Sequence, residues 1–200
     1  MTPANHLVAF VKTPRLGRVK SRLAADVGVM AATAFYRRTL GSVLPPLARD
    51  GRWRCWLSVT PDRDVQGAAS WPTGWRAIPQ GGGDLGQRMA RPLRRLPPGP
   101  VVIIGTDVPD IRPHHVARAF EALGDNDAVF GPSSDGGYWL IGLGRRQRVI
   151  PPFKDVRWST EFALADTLAN FGDGKKIAVL ETLDDIDDGA ALARWRGMEA

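Results

Sequence analysis

The chain has 200 residues, 44% of them hydrophobic, with a formal net charge of +6. That length builds one well-buried domain over 1–200 and is short for two. No apolar run approaches the ~20 residues that cross a bilayer, and the short apolar stretch Leu7 to Phe10 does not make a signal peptide, so a cytoplasmic protein without a membrane partner is expected.

Cys55 is the sole cysteine, which excludes an internal disulfide or a cysteine metal cluster and reads as a small buried hydrophobe in a strand. The positive charge points to polyanionic partners: nucleotides, phosphorylated metabolites or nucleic acid. Five of the 27 basic residues are lysines and 22 are arginines, a bias that a GC-rich coding sequence also produces. The placement of individual cations therefore weighs more than their total.

In chain order, Leu7–Lys12 reads as a first strand followed by a basic loop. Met30, Phe35, Leu40, Val43, Leu44 and Leu47 mark a helix, the last four at one-face spacing. Trp53–Thr60 is a second strand and Trp71–Pro79 contains a weak third. Asp84 opens a helix with Gln87 in capping-box spacing, and Pro97-Pro98-Gly99-Pro100 stops it. Val101–Gly105 is β-branched up to its closing glycine, as expected of a parallel strand buried on both faces. Pro113 suits the first position of the next helix. Ala128–Gly131 and Tyr138–Leu143 bracket a glycine-rich turn. Ser159 or Thr160 is expected to cap a helix to about Phe171, with Ile177–Leu180 a last strand and a short helix closing the chain. The alternation predicts one α/β domain on a mixed, mostly parallel Rossmann-like sheet. Chemistry should then lie at the carboxyl ends of its strands.

Three segments leave strands at that edge. Val11 to Ala24 (VKTPRLGRVKSRLA) carries Lys12, Arg15, Arg18, Lys20 and Arg22 and no acid. It lacks the glycines of a Walker loop, with Val19 and Pro14 at their positions. It is either a phosphate site, with amides near Gly17 adding donors, or a solvated basic loop. Gly105-Thr106-Asp107-Val108-Pro109-Asp110 delivers Asp107 directly after the buried strand, a natural Mg²⁺ ligand, whereas Asp110 reads better as a turn or cap residue. Ser133 to Trp139 (SSDGGYW) is a hairpin turn or a ligand loop in which Asp135 binds metal, orients a hydroxyl or acts as a base.

Asp184, Asp185, Asp187 and Asp188 suit a helix N-terminus, with Asp185 or Asp187 alternatively reaching a metal. His114 and His115 read as surface or packing residues. Trp158 beside Ser159 and Thr160 reads as a pocket wall.

Together, KTPRLGRVKSRLA, GGGDLGQRM, VVIIGTDVPDI, GPSSDGGYWLIGL and RWST occur in an order that resembles a bacterial family of GT-A-type proteins. That family is catalogued as a domain of unknown function and commonly labelled glycosyltransferase. More distantly the chain is similar to molybdenum-cofactor and 2-phospholactate guanylyltransferases. The resemblance implies the nucleotide-diphospho-sugar transferase fold. It places Lys12, Arg15, Lys20 and Arg22 at phosphate-contacting positions and Asp107 at the metal position. It puts Gly82, Gly83, Asp84 and Gly86 near the base or ribose, and Asp135, Gly136 and Gly137 toward the acceptor. The expected acceptor-binding set is Gly136, Gly137, Tyr138, Trp158, Ser159 and Thr160. Relatives often end in D-[IV]-D-T-P-E-D-L. Here the tail from Asp185 to Leu192 (DIDDGAAL) lacks the Thr, Pro and acidic pair, so a second metal site on it is not implied.

The expected function is Mg²⁺-dependent (or Mn²⁺-dependent) nucleotidyl transfer from a nucleoside triphosphate to a phosphorylated or anionic small molecule. In it Lys20, Arg22, Asp107 and Asp135 are catalytic. The alternative is glycosyl transfer from a nucleotide sugar, and the remote one is nucleic-acid binding, for which the sequence offers no recognition element. A homo-oligomer is left open.

Overall fold

The computed structural model describes residues 4–66, 71–145 and 151–198. Seven strands form one sheet: β1 His6–Lys12, β2 Arg54–Thr60, β3 Trp75–Pro79, β4 Val101–Ile104, β5 Ala128–Pro132, β6 Tyr138–Leu143 and β7 Ile177–Val179. Their order is β3-β2-β1-β4-β6-β5-β7. All run parallel except β6, which is antiparallel to both β4 and β5. The expected mixed, mostly parallel α/β architecture is therefore present.

Among the described residues six α-helices flank the sheet: α1 Ser21–Val27, α2 Val29–Arg49, α3 Leu85–Arg95, α4 Pro113–Ala122, α5 Ala163–Ala169 and α6 Gly189–Met198. β4 shows why its sequence has no polar position. Val102 and Ile104 pack with Tyr36, Leu40, Leu44 and Val116 of α2 and α4. Val101 and Ile103 pack with Met89, Ala90 and Leu93 of α3. Both faces of the strand are thus covered, and all four side chains leave water.

A third apolar cluster joins Leu23 of α1, Ala32 and Phe35 of α2, and Ile186, Ala191 and Leu192 of the tail. It docks the end of the chain against its beginning, and this docking completes the site. Asp188 Oδ1 accepts from Ala191 N at 2.7 Å, and Asp26 Oδ2 accepts from Gly189 N at 2.8 Å. Asp188 is thus the cap residue that the acidic tail cluster suggested.

Two local expectations change. Asp84 does cap α3 through a complete capping box with Gln87. But the helix expected from Ser159 or Thr160 starts only at Ala163. Ser159 has a left-handed φ of 62°, and Thr160 Oγ1 accepts from Phe162 N at 3.3 Å, so these residues form a turn before the helix. Likewise β3 begins at Trp75, after a turn at Thr73–Gly74. Cys55 is buried in β2, and burial pushes its thiol up to about 12, so it is an inert core residue.

Candidate functional site

The carboxyl ends of β1, β2 and β4 open into a cleft of about 320 Å³. Its floor is a set of mutual hydrogen bonds. Tyr36 Oη accepts from Lys12 N at 3.0 Å and meets Thr106 Oγ1 at 3.3 Å, while Thr106 Oγ1 donates to Phe10 O at 2.9 Å. Burial, then the nearby Asp107 carboxylate, push the Tyr36 phenol up to about 12. It therefore works as a neutral strut linking α2 to the ends of β1 and β4. On the far wall, buried Gln80 donates to Val11 O and Ser58 O and accepts from Arg88 Nη1 at 3.1 Å, which aims Arg88 into the cleft.

Lys20 is the best-buried cation of the cleft, its side chain 4% exposed, with Nζ 2.9 Å from Asp107 Oδ1 and 2.8 Å from Asp187 Oδ1. Burial opposes its charge, but Asp107 and Asp187 outweigh burial and hold the ammonium above its ordinary range. Its backbone is left-handed, φ 49° and ψ 51°, at the N-terminus of α1. That is an uncommon conformation for a lysine. Arg22, on the first turn of α1, lies 3.6 Å from Asp187 Oδ2 and is 69% exposed.

Asp187 reaches this point through Ile186. The Ile186 side chain is buried in the cluster that docks the tail, and its N–H donates to Asp107 O at 3.2 Å. Its two neighbours, Asp185 and Asp187, line a second cavity of about 300 Å³ that meets the first at Arg22, Leu85, Asp107 and Asp187. This second compartment also receives Ser133, Asp135, Gly137, Tyr138, Trp158, Ser159 and Thr160. Burial, then the Asp187 and Asp135 carboxylates, push Asp185 up to about 6. Asp135 Oδ1 accepts from Ser133 Oγ at 2.6 Å and from Gly137 N at 2.9 Å.

The structure thus brings Lys12, Lys20, Arg22 and Asp107 together in the first cleft, and Asp135, Gly137, Tyr138, Trp158, Ser159 and Thr160 in the second. It takes other expected residues elsewhere. Arg15 turns to Asp64, 2.6 Å away, and anchors the basic loop to the short 3-10 turn Asp62–Asp64 that follows β2. Gly17 supplies a positive-φ turn, φ 69°. Gly82 accepts from Arg91 through its carbonyl, Gly83 takes φ 97°, and Asp84 is spent on the helix cap. None of these lines either cavity. Gly86 is buried against Phe153 and Trp158, so it shapes the aromatic wall rather than a base pocket. Gly136, φ 83°, closes its turn with Gly136 N donating to Ser133 O.

Sequence reasoning passed over Tyr36, Gln80 and Arg88, each of which looks like an ordinary helix or loop residue. It left Asp187 unresolved because the relatives' tail motif is incomplete here. Away from both cavities, His114, His115 and Glu181 bring potential ligand atoms within 4.8 Å of one another. His115 Nδ1 accepts from Arg112 N at 3.0 Å. Coordination through Nε2 would put the ring proton on Nδ1, facing that N–H, so this group does not suit a metal.

Against known proteins, a family model described as an uncharacterized protein conserved in bacteria (DUF2064) matches residues 43–160. No curated protein matches. A crystal structure of a candidate nucleotide-diphospho-sugar transferase from Desulfovibrio desulfuricans G20 is similar with a TM-score of 0.81 and 30% identity, over 94% of this chain and 84% of that one. Two structures share the fold at lower identity. A CMP:2-keto-3-deoxy-manno-octonic acid synthetase complexed with CTP has a TM-score of 0.56 and 13% identity, over 98% of each chain. The Mycobacterium tuberculosis H37Rv protein Rv0371c, as a manganese complex, has a TM-score of 0.51 and 13% identity, over 96% of this chain and 97% of that one. With the family model spanning more than half of its length, the chain belongs to the bacterial family DUF2064, on the fold of the nucleotide-diphospho-sugar transferases.

Proposed function

We propose that this transferase moves a nucleotidyl group from a nucleoside triphosphate, with release of pyrophosphate. The observation that carries the reading is the convergence of Lys12 from β1, Lys20 and Arg22 from the start of α1, and Arg88 from α3 on a cleft walled by Asp107 and Asp187. A triphosphate and its departing pyrophosphate need that density of cations. Lys20 is a point charge beside the carboxylates, and Arg22 and Arg88 offer forked donors to phosphate oxygens. The fold relative bound to CTP supports the choice of donor.

Asp107 and Asp187 fit a divalent metal. Their Oδ1 atoms face one point, close enough that a single buried ammonium touches both, and Mg²⁺ takes one or two carboxylates together with substrate phosphates. When bound, such an ion would offset the charge that develops on the phosphates. The manganese complex of a fold relative supports this assignment.

In the chain's own chemistry, Lys20 and Arg22 offset charge on the leaving phosphates. Tyr36 and Thr106 fix the strand ends beneath them. The second compartment holds the acceptor against the α-phosphate at the shared wall. Incubation with each nucleoside triphosphate, Mg²⁺ and a panel of acceptors, following pyrophosphate, tests the reading. Acceptor-dependent pyrophosphate release is expected, and absence of triphosphate binding at millimolar concentration refutes it.

A second reading, glycosyl transfer from a nucleotide sugar, is favoured by the room for a sugar ring beside Trp158 in the second compartment. Thermal shifts separate the two, because the better-bound donor class stabilises the fold more by mass action.

A further inference from the structure

The two compartments differ in charge. Residues that line only the first include Lys12, Lys20 and Arg88 and no acid; those that line only the second include Asp135 and Asp185 and no cation. Arg22, Asp107 and Asp187 belong to the wall between them. A metal ion on Asp107 and Asp187 would leave Asp135 and Asp185 uncompensated, so the second compartment stays negative with the donor site loaded.

Its other surfaces are aromatic and hydroxylic. Trp158 stands edge-on to Tyr138, with ring centroids 6.5 Å apart, and gives an apolar plate beside Ser159 and Thr160. Asp135 Oδ1 is engaged by Ser133 and Gly137, whereas Oδ2 has no hydrogen-bond partner among the described residues and remains an acceptor for a ligand hydroxyl. An ionised carboxylate accepts hydrogen bonds and donates none. It suits hydroxyl groups and repels phosphate.

Resting on the nucleotidyl-transfer reading, we infer that the second compartment receives an uncharged, hydroxyl-rich acceptor, a sugar or polyol that attacks through a hydroxyl, and rejects its phosphorylated counterpart. This replaces the phosphorylated or anionic acceptor that the net charge of the chain suggested. The hydroxyl oxygen bonds to the α-phosphorus and the bond from that phosphorus to pyrophosphate breaks. Pyrophosphate leaves with the electron pair, and the hydroxyl proton passes to the carboxylate of Asp135.

The test is ligand-observed NMR on the full chain with Mg²⁺ and an α,β-methylene triphosphate. Neutral glucose, mannose, ribitol and glycerol are titrated beside glucose 6-phosphate, mannose 6-phosphate, ribitol 5-phosphate and glycerol 3-phosphate. At least one neutral compound should bind, with its phosphorylated partner weaker by about tenfold or more. Asp135→Asn, which keeps the Oδ1 acceptor of the turn, should weaken the neutral compound by about tenfold at an unchanged melting temperature. Asp135→Lys should bring the phosphorylated partner level with the neutral one or above it. Tighter binding of the phosphorylated partner by the natural chain overturns the inference, as does failure of every neutral compound to bind at millimolar concentration. Triphosphate binding is read from the analogue's own signals. Its failure would sink the nucleotidyl reading alone, because the neutral-to-phosphorylated preference is then measured without nucleotide.

Discussion

Asp107 and Asp187 come from opposite ends of the chain's second half, yet both place Oδ1 within 3 Å of the Lys20 ammonium, at 2.9 and 2.8 Å. Three chain segments are tied at one point: the end of β4, the start of α1 and the tail before α6. Removing the ammonium by Lys20→Ala should abolish turnover. It also leaves the two carboxylates facing each other, at a cost of about 1–3 kcal/mol of stability because a charged partner has been removed. Left-handed backbone adds a term of its own. Lys20→Gly should be as inactive as Lys20→Ala but no less stable, since glycine adopts φ 49° without the penalty that alanine carries. Urea denaturation with a pyrophosphate assay checks both statements.

Asp107→Asn and Asp187→Asn should fold normally, because both side chains are partly exposed, at 52% and 40%. Each should raise the Mg²⁺ or Mn²⁺ concentration needed for half-maximal activity by about tenfold or more, since each removes one anionic ligand. Titration of Mn²⁺ by electron paramagnetic resonance reads the same loss without turnover. Asp188→Asn should leave metal binding alone, because Asp188 caps α6.

The site's halves were unequally legible in the sequence. Asp107 could be read because a carboxylate directly after a strand buried on both faces has few structural duties, and Lys20 because the loop around it carries cations and no acid. Asp187 could not. Its position depends on Ile186, an ordinary hydrophobe whose burial against α1 and α2 is a tertiary fact. Arg88 was hidden for a similar reason: the buried Gln80 side chain and the Asp84 carbonyl aim it. Conversely Asp84 and Gly82 looked like ligand residues because cap and turn chemistry uses the same residue types as nucleotide loops. The strand pattern was read almost completely, since burial of β4 and alternation of strands with helices are local signals. The turn ahead of α5 was misread because Ser159 and Thr160 are equally good as caps and as turn residues.

Acid should weaken the fold through its buried histidines. Burial lowers His6 and His115 below their ordinary value near 6.5. For His115, His114, Arg112 and Arg118 act in the same direction and only Glu181 opposes them. A base whose folded pKa is lowered is protonated first in the unfolded chain. Its contribution is full above about pH 6.5 and is lost progressively as pH falls below that value. His115→Gln should flatten this slope without loss of stability at pH 8, because glutamine at the third helical position can still accept from the Arg112 N–H. Chemical denaturation at a series of pH values between 5 and 8 checks the sign.

The loop that carries Trp158 is held by Arg157 and Asp166, whose Nη2 and Oδ1 lie 2.8 Å apart. Side-chain and backbone hydrogen bonds from Arg157 hold Asp166 down to about 2. The pair is therefore intact above the ordinary aspartate range and is lost only as pH falls from about 3.8 toward 2. Asp166→Asn should remove it at neutral pH. Faster amide exchange across residues 157–160 is expected, with weaker acceptor binding and unchanged triphosphate binding. Equal loss of both would contradict the assignment of this loop to the second compartment alone.

Gly86 gives the sharpest separation of the two compartments. It belongs to the stretch expected near the base, yet an added Cβ would lie 2.7 Å from Phe153 Cβ and 2.9 Å from Trp158 Cζ2. These are packed atoms that cannot simply swing aside, so overpacking should cost about 1–3 kcal/mol. The strain falls on the wall of the acceptor compartment, while the cations of the donor cleft are untouched. Gly86→Ala should therefore raise the acceptor KM several-fold and leave the triphosphate Kd within about twofold. It should also shift the tryptophan fluorescence as Trp158 is displaced. A Gly86→Ala variant that lost triphosphate affinity instead would return this glycine to the nucleotide base and overturn the division of the site.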